Sequence, residues 1–145
     1  MYTPDIQLPC DEILGVLADI NVWLRPLWYG HILGRNPATG EKLVKMSQEQ
    51  IDEVQEASKT KMLPMTLKML EERLGSKQYF CGNRITIADV QWYVIGSGIL
   101  DGTYDGGYLG PDILKPFANL LRLLMDVDKH ERVLEWNQKK KGFRE

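Results

Sequence analysis

The sequence predicts an all-α fold, a bundle of about five to six helices, because its periodicity is helical and almost nothing else. Apolar residues recur at spacings of four and three from Ile13 to Leu27, and a second leucine stripe runs from Leu63 to Leu74. Ser47 and Thr86 each open a stretch with the residue pattern of a capped helix start.

The bounds set by size and composition agree with a globular domain. At 145 residues and 16.7 kDa the chain is long enough to bury one shared core and too short for two full domains. Hydrophobic residues make up 43% and charged residues 26%, and no run approaches the roughly 20 apolar residues that a membrane span requires. Residues 1–10 lack a basic opening and a long apolar run, so they do not read as a secretory signal, and the cytosol is the expected compartment. Cys10 and Cys81 are far apart and stand in no CxxC or Cys/His spacing, which argues against a disulfide framework and against zinc, and Cys81 is expected to be a buried, reduced thiol. Formal net charge is −2, and the one basic run, Lys139 to Lys141 with Arg144, sits at the C-terminus. It is expected to be a solvated tail, with no nucleic-acid partner and no membrane.

Along the chain, residues 1–10 read as a linker-like lead, 11–138 as the helical domain and 139–145 as a basic tail. From Asp11, the residues Ile13, Leu17, Ile20, Leu24 and Leu27 mark one helical face, and Pro26 is expected to kink or end that helix. Gly34, Asn36, Pro37 and Gly40 make a connecting loop of residues 31–42. Ser47, with Gln50 three residues on, completes a capping box for a second helix reaching Leu74, bent at Pro64. Met62, Met65 and Met69 lie beside the leucine stripe and are expected to fill core.

The stretch from Gly82 to Ile95 is the most informative. Thr86 and Asp89 have the spacing of a capping box, in which the Thr86 hydroxyl accepts the Asp89 amide and the Asp89 carboxylate accepts the Thr86 amide. Ile85 before the cap and Val90 within the first turn form a hydrophobic staple. The following Trp92, Tyr93, Val94, Ile95, Ile99 and Leu100 leave the helix apolar nearly all round, which places it at the centre of the domain. A central helix needs its start satisfied from within the protein, because water cannot reach its free amides.

The string Tyr79-Phe80-Cys81-Gly82-Asn83-Arg84-Ile85-Thr86-Ile87-Ala88-Asp89-Val90, preceded by Glu71-Glu72-Arg73-Leu74, resembles the C-terminal helical domain of the glutathione transferase family. Pro111, Leu114, Phe117, Leu120 and Leu124, then Val133, resemble the later helices of that domain, so the likeness spans roughly Asp11 to Trp136. The resemblance implies a glutathione transferase C-terminal-like bundle whose partner, a thioredoxin-like domain that binds glutathione and activates its thiol, is not among these residues. It also implies a hydrophobic co-substrate pocket near Trp23, Trp28 and Tyr29, and a two-fold dimer through the helices that start at Asp11 and Ser47. Glutathione is then a cofactor only where a thioredoxin-like domain is supplied, and the isolated chain is expected to be inactive. The alternative that the same resemblance implies is a non-catalytic interaction module, like those attached to tRNA synthetase complexes or to the gamma subunit of translation elongation factor 1B.

Other motifs carry no chemistry of their own. Gly96-Ser97-Gly98 lacks the context of a nucleophile elbow or a dinucleotide loop and reads as a helix-terminating turn. Residues 101–108 hold two carboxylates and three glycines but miss the calcium-loop pattern, so they read as a flexible loop. His31 and His130 stand apart from any metal or triad spacing, Asp19 reads as a solvated charge, and no catalytic or metal-ligating residue is assigned.

Overall fold

The computed structural model of the protein describes residues 3–27, 34–36, 38–104 and 106–142. Among these there are six α-helices and no strand: α1 Pro4–Leu27, α2 Gln48–Ala57, α3 Leu63–Leu74, α4 Ile87–Asp101, α5 Ala118–Asp128 and α6 Glu131–Gly142. A π-helical turn, Ser58–Met62, joins α2 to α3, and a short 3-10 helix, Pro111–Leu114, precedes α5. The all-α expectation is met.

Helix α1 buries the predicted stripe of Ile13, Leu17, Ile20 and Leu24, extended upstream by Cys10. It starts earlier than composition suggested. Pro4–Cys10, expected as part of a linker-like lead, forms the first turns of α1, with the Thr3 carbonyl accepting the Ile6 amide at 3.0 Å and the Gln7 amide at 2.9 Å. Proline suits the first position of a helix, where its missing amide has no partner to lose and its fixed φ is already helical. The basic run is likewise helical through Lys139–Gly142, in α6. Pro26 stands in the last turn of α1, where the helix was expected to end.

At Ser47 the capping box forms as read: the Ser47 amide donates to Gln50 Oε1 at 2.9 Å, and the Gln50 amide donates to Ser47 Oγ at 3.3 Å. The helix expected to continue to Leu74 is instead interrupted by the π turn immediately before Pro64, where the Leu63 amide reaches back to the Ser58 carbonyl. Such a turn absorbs the register change that a proline forces on the ladder. Leu63, Leu67, Leu70 and Leu74 are fully buried as the stripe predicts. The methionines are not core: Met65 is 56% and Met69 51% exposed, and Met62 is half-buried. They fall on the far side of α3 from the leucines, and no element among the described residues covers that side.

Helix α4 runs through the middle of the bundle against α1 and α5. Its start is held by one side chain. Asp89, with no exposed surface, accepts the Phe80 amide on Oδ1 at 2.9 Å, and its Oδ2 accepts both the Thr86 amide and the Thr86 hydroxyl at 2.7 Å. The Thr86 hydroxyl in turn accepts the Asp89 amide, completing the box, and Ile85 and Val90 flank it half-buried. The bond to Phe80 was not visible in the capping pattern; it ties the preceding turn, closed by a Tyr79–Gly82 bridge, to the helix start. Further along, the Trp92 indole donates to the Leu120 carbonyl at 3.1 Å, joining α4 to α5 across the core.

Gly96 and Gly98, expected to end the helix, lie inside it and are buried; α4 ends at Gly102, whose φ of 75° is the left-handed conformation of a C-cap. The interior glycines serve close approach. A Cβ on Gly98 would stand 2.6 Å from the Tyr104 Cβ, and one on Gly96 would stand 2.9 Å from a Leu124 methyl.

Replacing Asp89 with Ala leaves two backbone amides and a hydroxyl without their acceptor in the core. At about 1–3 kcal/mol for each stranded buried group, partly offset by relaxation, the expected loss is about 3 kcal/mol. That corresponds to a melting temperature about 10 °C lower in a domain of this size, measurable by circular dichroism; an unchanged transition contradicts the role assigned to Asp89.

Candidate functional site

Between α4 and α6 the structure opens a cleft of about 1000 Å³, at the upper end of the range of small-molecule pockets. Val90, Val94, Ser97 and Asp101, spaced by four, three and four residues, form the α4 wall, so the helix is not apolar-buried all round as its composition suggested. Val94 is 55% exposed because α6 does not close over this stripe. From α6 the opposite wall presents Leu134 and Trp136, the latter 66% exposed, with half-buried Val133 at its back. The loop after α4 closes one end with Thr103 and Tyr104.

A polar network crosses the base. The Tyr93 hydroxyl donates to Asp128 Oδ1 at 2.6 Å and accepts the Asn137 amide nitrogen at 3.0 Å, so one phenol links α4, the end of α5 and α6. Burial raises the Tyr93 pKa most, the hydrogen bond to Asp128 adds to it, and the negative charges of Asp128 and Asp101 push the same way against the lowering effect of Asn137. Asp101 is fixed by the Thr103 amide, which donates to its Oδ1 at 2.9 Å. Tyr104 donates to Asn21, bringing α1 into contact with the loop at this end.

The residues singled out by sequence fall in different places. Trp23 lies half-buried near the C-terminal end of α1 and does not line this cleft. Trp28, Tyr29 and His31 lie outside the described residues. Thr86, Asp89, Ile85 and Val90 form the capped start of α4, and Val90 alone of them reaches the cleft. Sequence reading passed over Tyr93, Asp128 and Trp136 as site residues; the helical spacing of Val90, Val94, Ser97 and Asp101 carried the signal, but it needed the position of α6 to be read as a wall.

Of the two thiols, Cys10 is buried, whereas Cys81, expected to be buried, is half-buried; both are free. Partial burial raises the Cys81 pKa, the nearby Thr86 hydroxyl works against it and Cys10 adds to it, which disfavours the thiolate. His130 occupies the turn between α5 and α6, and its Nδ1 has no hydrogen-bond partner among the described residues. Among those residues no three His, Cys, Asp or Glu side chains are grouped to hold a metal ion.

The family described as Glutathione S-transferase, C-terminal domain, matches residues 39–140, well over half the chain and including all of α2 to α5. The chain belongs to this family. Helix α1 lies outside the matched span, and its place in the bundle rests on its own packing against α3 and α4. No curated protein and no solved structure matches the chain. No helix among the described residues is long and apolar enough to cross a membrane.

Because the folded-state pKa of Tyr93 is raised, the stabilising Tyr93–Asp128 bond is fully present below the ordinary phenol pKa near 10 and is lost as pH rises through the higher folded value. Ultraviolet titration is expected to show one tyrosine ionising late, and Asp128→Asn is expected to bring it earlier by removing the charge; an unmoved titration curve in that variant contradicts the assignment.

Proposed function

We propose that this chain is the helical half of a glutathione transferase-type protein and that it supplies the surface on which a hydrophobic co-substrate rests. The observation that carries this reading is the cleft on α4, concave, with apolar walls from Val90, Val94, Leu134 and Trp136 beside a set of polar side chains that includes Asp101, Asp128 and Asn137, a combination that small-molecule sites use for contact area and orientation. The cleft does not suit glutathione, which is a net anion with two carboxylates and one ammonium: the charged side chains of the lining, Asp101 and Asp128, offer its carboxylates no cationic partner. Glutathione binding and thiol activation are therefore assigned to a thioredoxin-like domain outside these residues, and no catalytic step is assigned to this chain. The cytosol is the compartment we assign, in keeping with two free thiols. Trp23, half-buried near the end of α1, is a second candidate for apolar contact, and Trp28 and Tyr29, which the sequence groups with it, lie outside the described residues.

The test is binding of a neutral, environment-sensitive dye such as phenylnaphthylamine to the 145-residue chain. Saturable fluorescence enhancement, weakened by Trp136→Ala, is the expected outcome. Loss in Trp28→Ala with no effect of Trp136→Ala would move the pocket to the end of α1, and no saturable binding at all would overturn the reading. Conjugation of glutathione by this chain alone, above the uncatalysed rate, would overturn the division of labour between the two domains.

A second reading is favoured by exposed apolar side chains away from the cleft. Leu8 and Val22 on α1, and Met65 and Met69 on α3, are exposed on helices that pack together and are bridged by an ion pair between Glu12 and Arg73. Exposed apolar side chains on adjoining helices suit a protein contact, either the two-fold homodimer or the partner of a non-catalytic interaction module. Sedimentation at micromolar concentration is expected to show a dimer that Met65→Lys with Met69→Lys converts to monomer. A monomeric parent rules out the homodimer.

A further inference from the structure

The cleft has a charge preference that its apolar walls alone do not set. Its charged side chains are Asp101, at the end of α4, and Asp128, at the end of α5; no Lys, Arg or His among the described residues lines it. The described basic side chains of α6 that adjoin the lining, Arg132 before Val133 and Lys139 after Gln138, are exposed and outside it, and Lys139 is paired with Glu135 at 2.6 Å. Each of the two carboxylates is held in place by a donor within the site, Asp128 by the Tyr93 hydroxyl and Asp101 by the Thr103 amide. Both carboxylates are exposed, yet anions fixed beside an apolar wall act more strongly than the same groups free in bulk water. The field of both is felt inside the site, since both disfavour ionisation of the Tyr93 phenol.

The aromatic groups complete the pattern. Tyr93, Tyr104 and Trp136 line the same cleft, and Trp136 presents most of its surface to it and to solvent. The face of an indole or phenol carries negative potential and attracts an organic cation, most of all when that cation sheds part of its water. Val94 and Leu134 offer apolar surface for a hydrocarbon body.

We propose that the cleft between α4 and α6 binds small organic cations with an apolar body, such as aryl-alkyl amines and quaternary ammonium compounds, the cation resting between Trp136 and the carboxylates of Asp101 and Asp128. This rests on the reading of the cleft as an apolar ligand site and narrows it to one class of ligand. A neutral apolar compound gains the walls alone, and an anionic one of the same size gains the walls against the repulsion of two carboxylates.

Calorimetric titration of the 145-residue chain with three probes of matched size tests this: phenylbutyl-trimethylammonium, phenylbutanol and phenylpentanoate. The cation is expected to bind about tenfold more tightly than the alcohol, and the carboxylate about tenfold more weakly. Asp101→Asn combined with Asp128→Asn keeps the hydrogen-bond acceptors and removes both charges. In that variant the cation is expected to fall to within about twofold of the alcohol measured on the same variant. Trp136→Ala, at an exposed position that the fold does not need, is expected to weaken the cation more than the alcohol. Cation and alcohol binding equally well in the parent would overturn the charge preference and leave the apolar site standing. Binding of none of the three would overturn both, and so would a cation preference that survives in the double variant overturn the role of the carboxylates.

Discussion

Asp89 sits where no water reaches, and three donors converge on it, two from Thr86 and one from Phe80. A helix that crosses the middle of a bundle cannot leave its first amides open, because each would be stranded in apolar surroundings. The carboxylate answers that constraint for α4 and, through Phe80, fixes the turn that leads into it. With the start of α4 fixed, its length and direction place Trp92 against α5 and the stripe from Val90 to Asp101 at the surface where α6 arrives. The cleft is thus downstream of the cap: its α4 wall has a defined position because the helix has a defined first turn.

The features legible in sequence were those whose cause is local. Ser47 with Gln50 and Thr86 with Asp89 are each closed within four residues, so spacing alone exposes them. The buried stripes of α1 and α3 follow from the repeat of a helix and needed no knowledge of the partner. Reading failed where the deciding neighbour is distant. Met65 and Met69 differ from Leu67 and Leu70 only in which side of α3 they occupy, and that side lacks a covering element among the described residues. Gly96 and Gly98 read as helix-ending because glycine is costly inside a helix; here that cost is offset by the approach of Leu124, on α5, to Gly96 and of Tyr104, in the loop that turns back after α4, to Gly98. The prolines near the start suggested a linker, yet at the first position of α1 a proline favours the helix.

The site was legible in part. The hydrophobic run on α4 was plain, but a run that is apolar all round predicts complete burial, and the open stripe appears only once α6 is seen to stand off from it. Trp136, on a helix of mostly charged and polar residues, gave no periodic signal of its own. The span matched by the glutathione transferase C-terminal domain family, residues 39–140, contains the cap of α4 and all the residues that line the cleft.

Glu71, on α3, has a reach beyond its own helix. Both of its oxygens are taken at the start of α5, where Oε1 accepts the Asn119 amide at 2.9 Å and Oε2 accepts the Leu120 amide at 2.9 Å, and no side chain of the local N-cap does this work. A segment whose first turn is closed by a residue some fifty positions upstream has no complete set of partners until that residue has docked. Helix α5 is therefore a poor autonomous folding unit, and its order of assembly is tied to α3. The chain has to bring its middle and its end together before either is finished, which couples the two halves of the bundle into one cooperative transition.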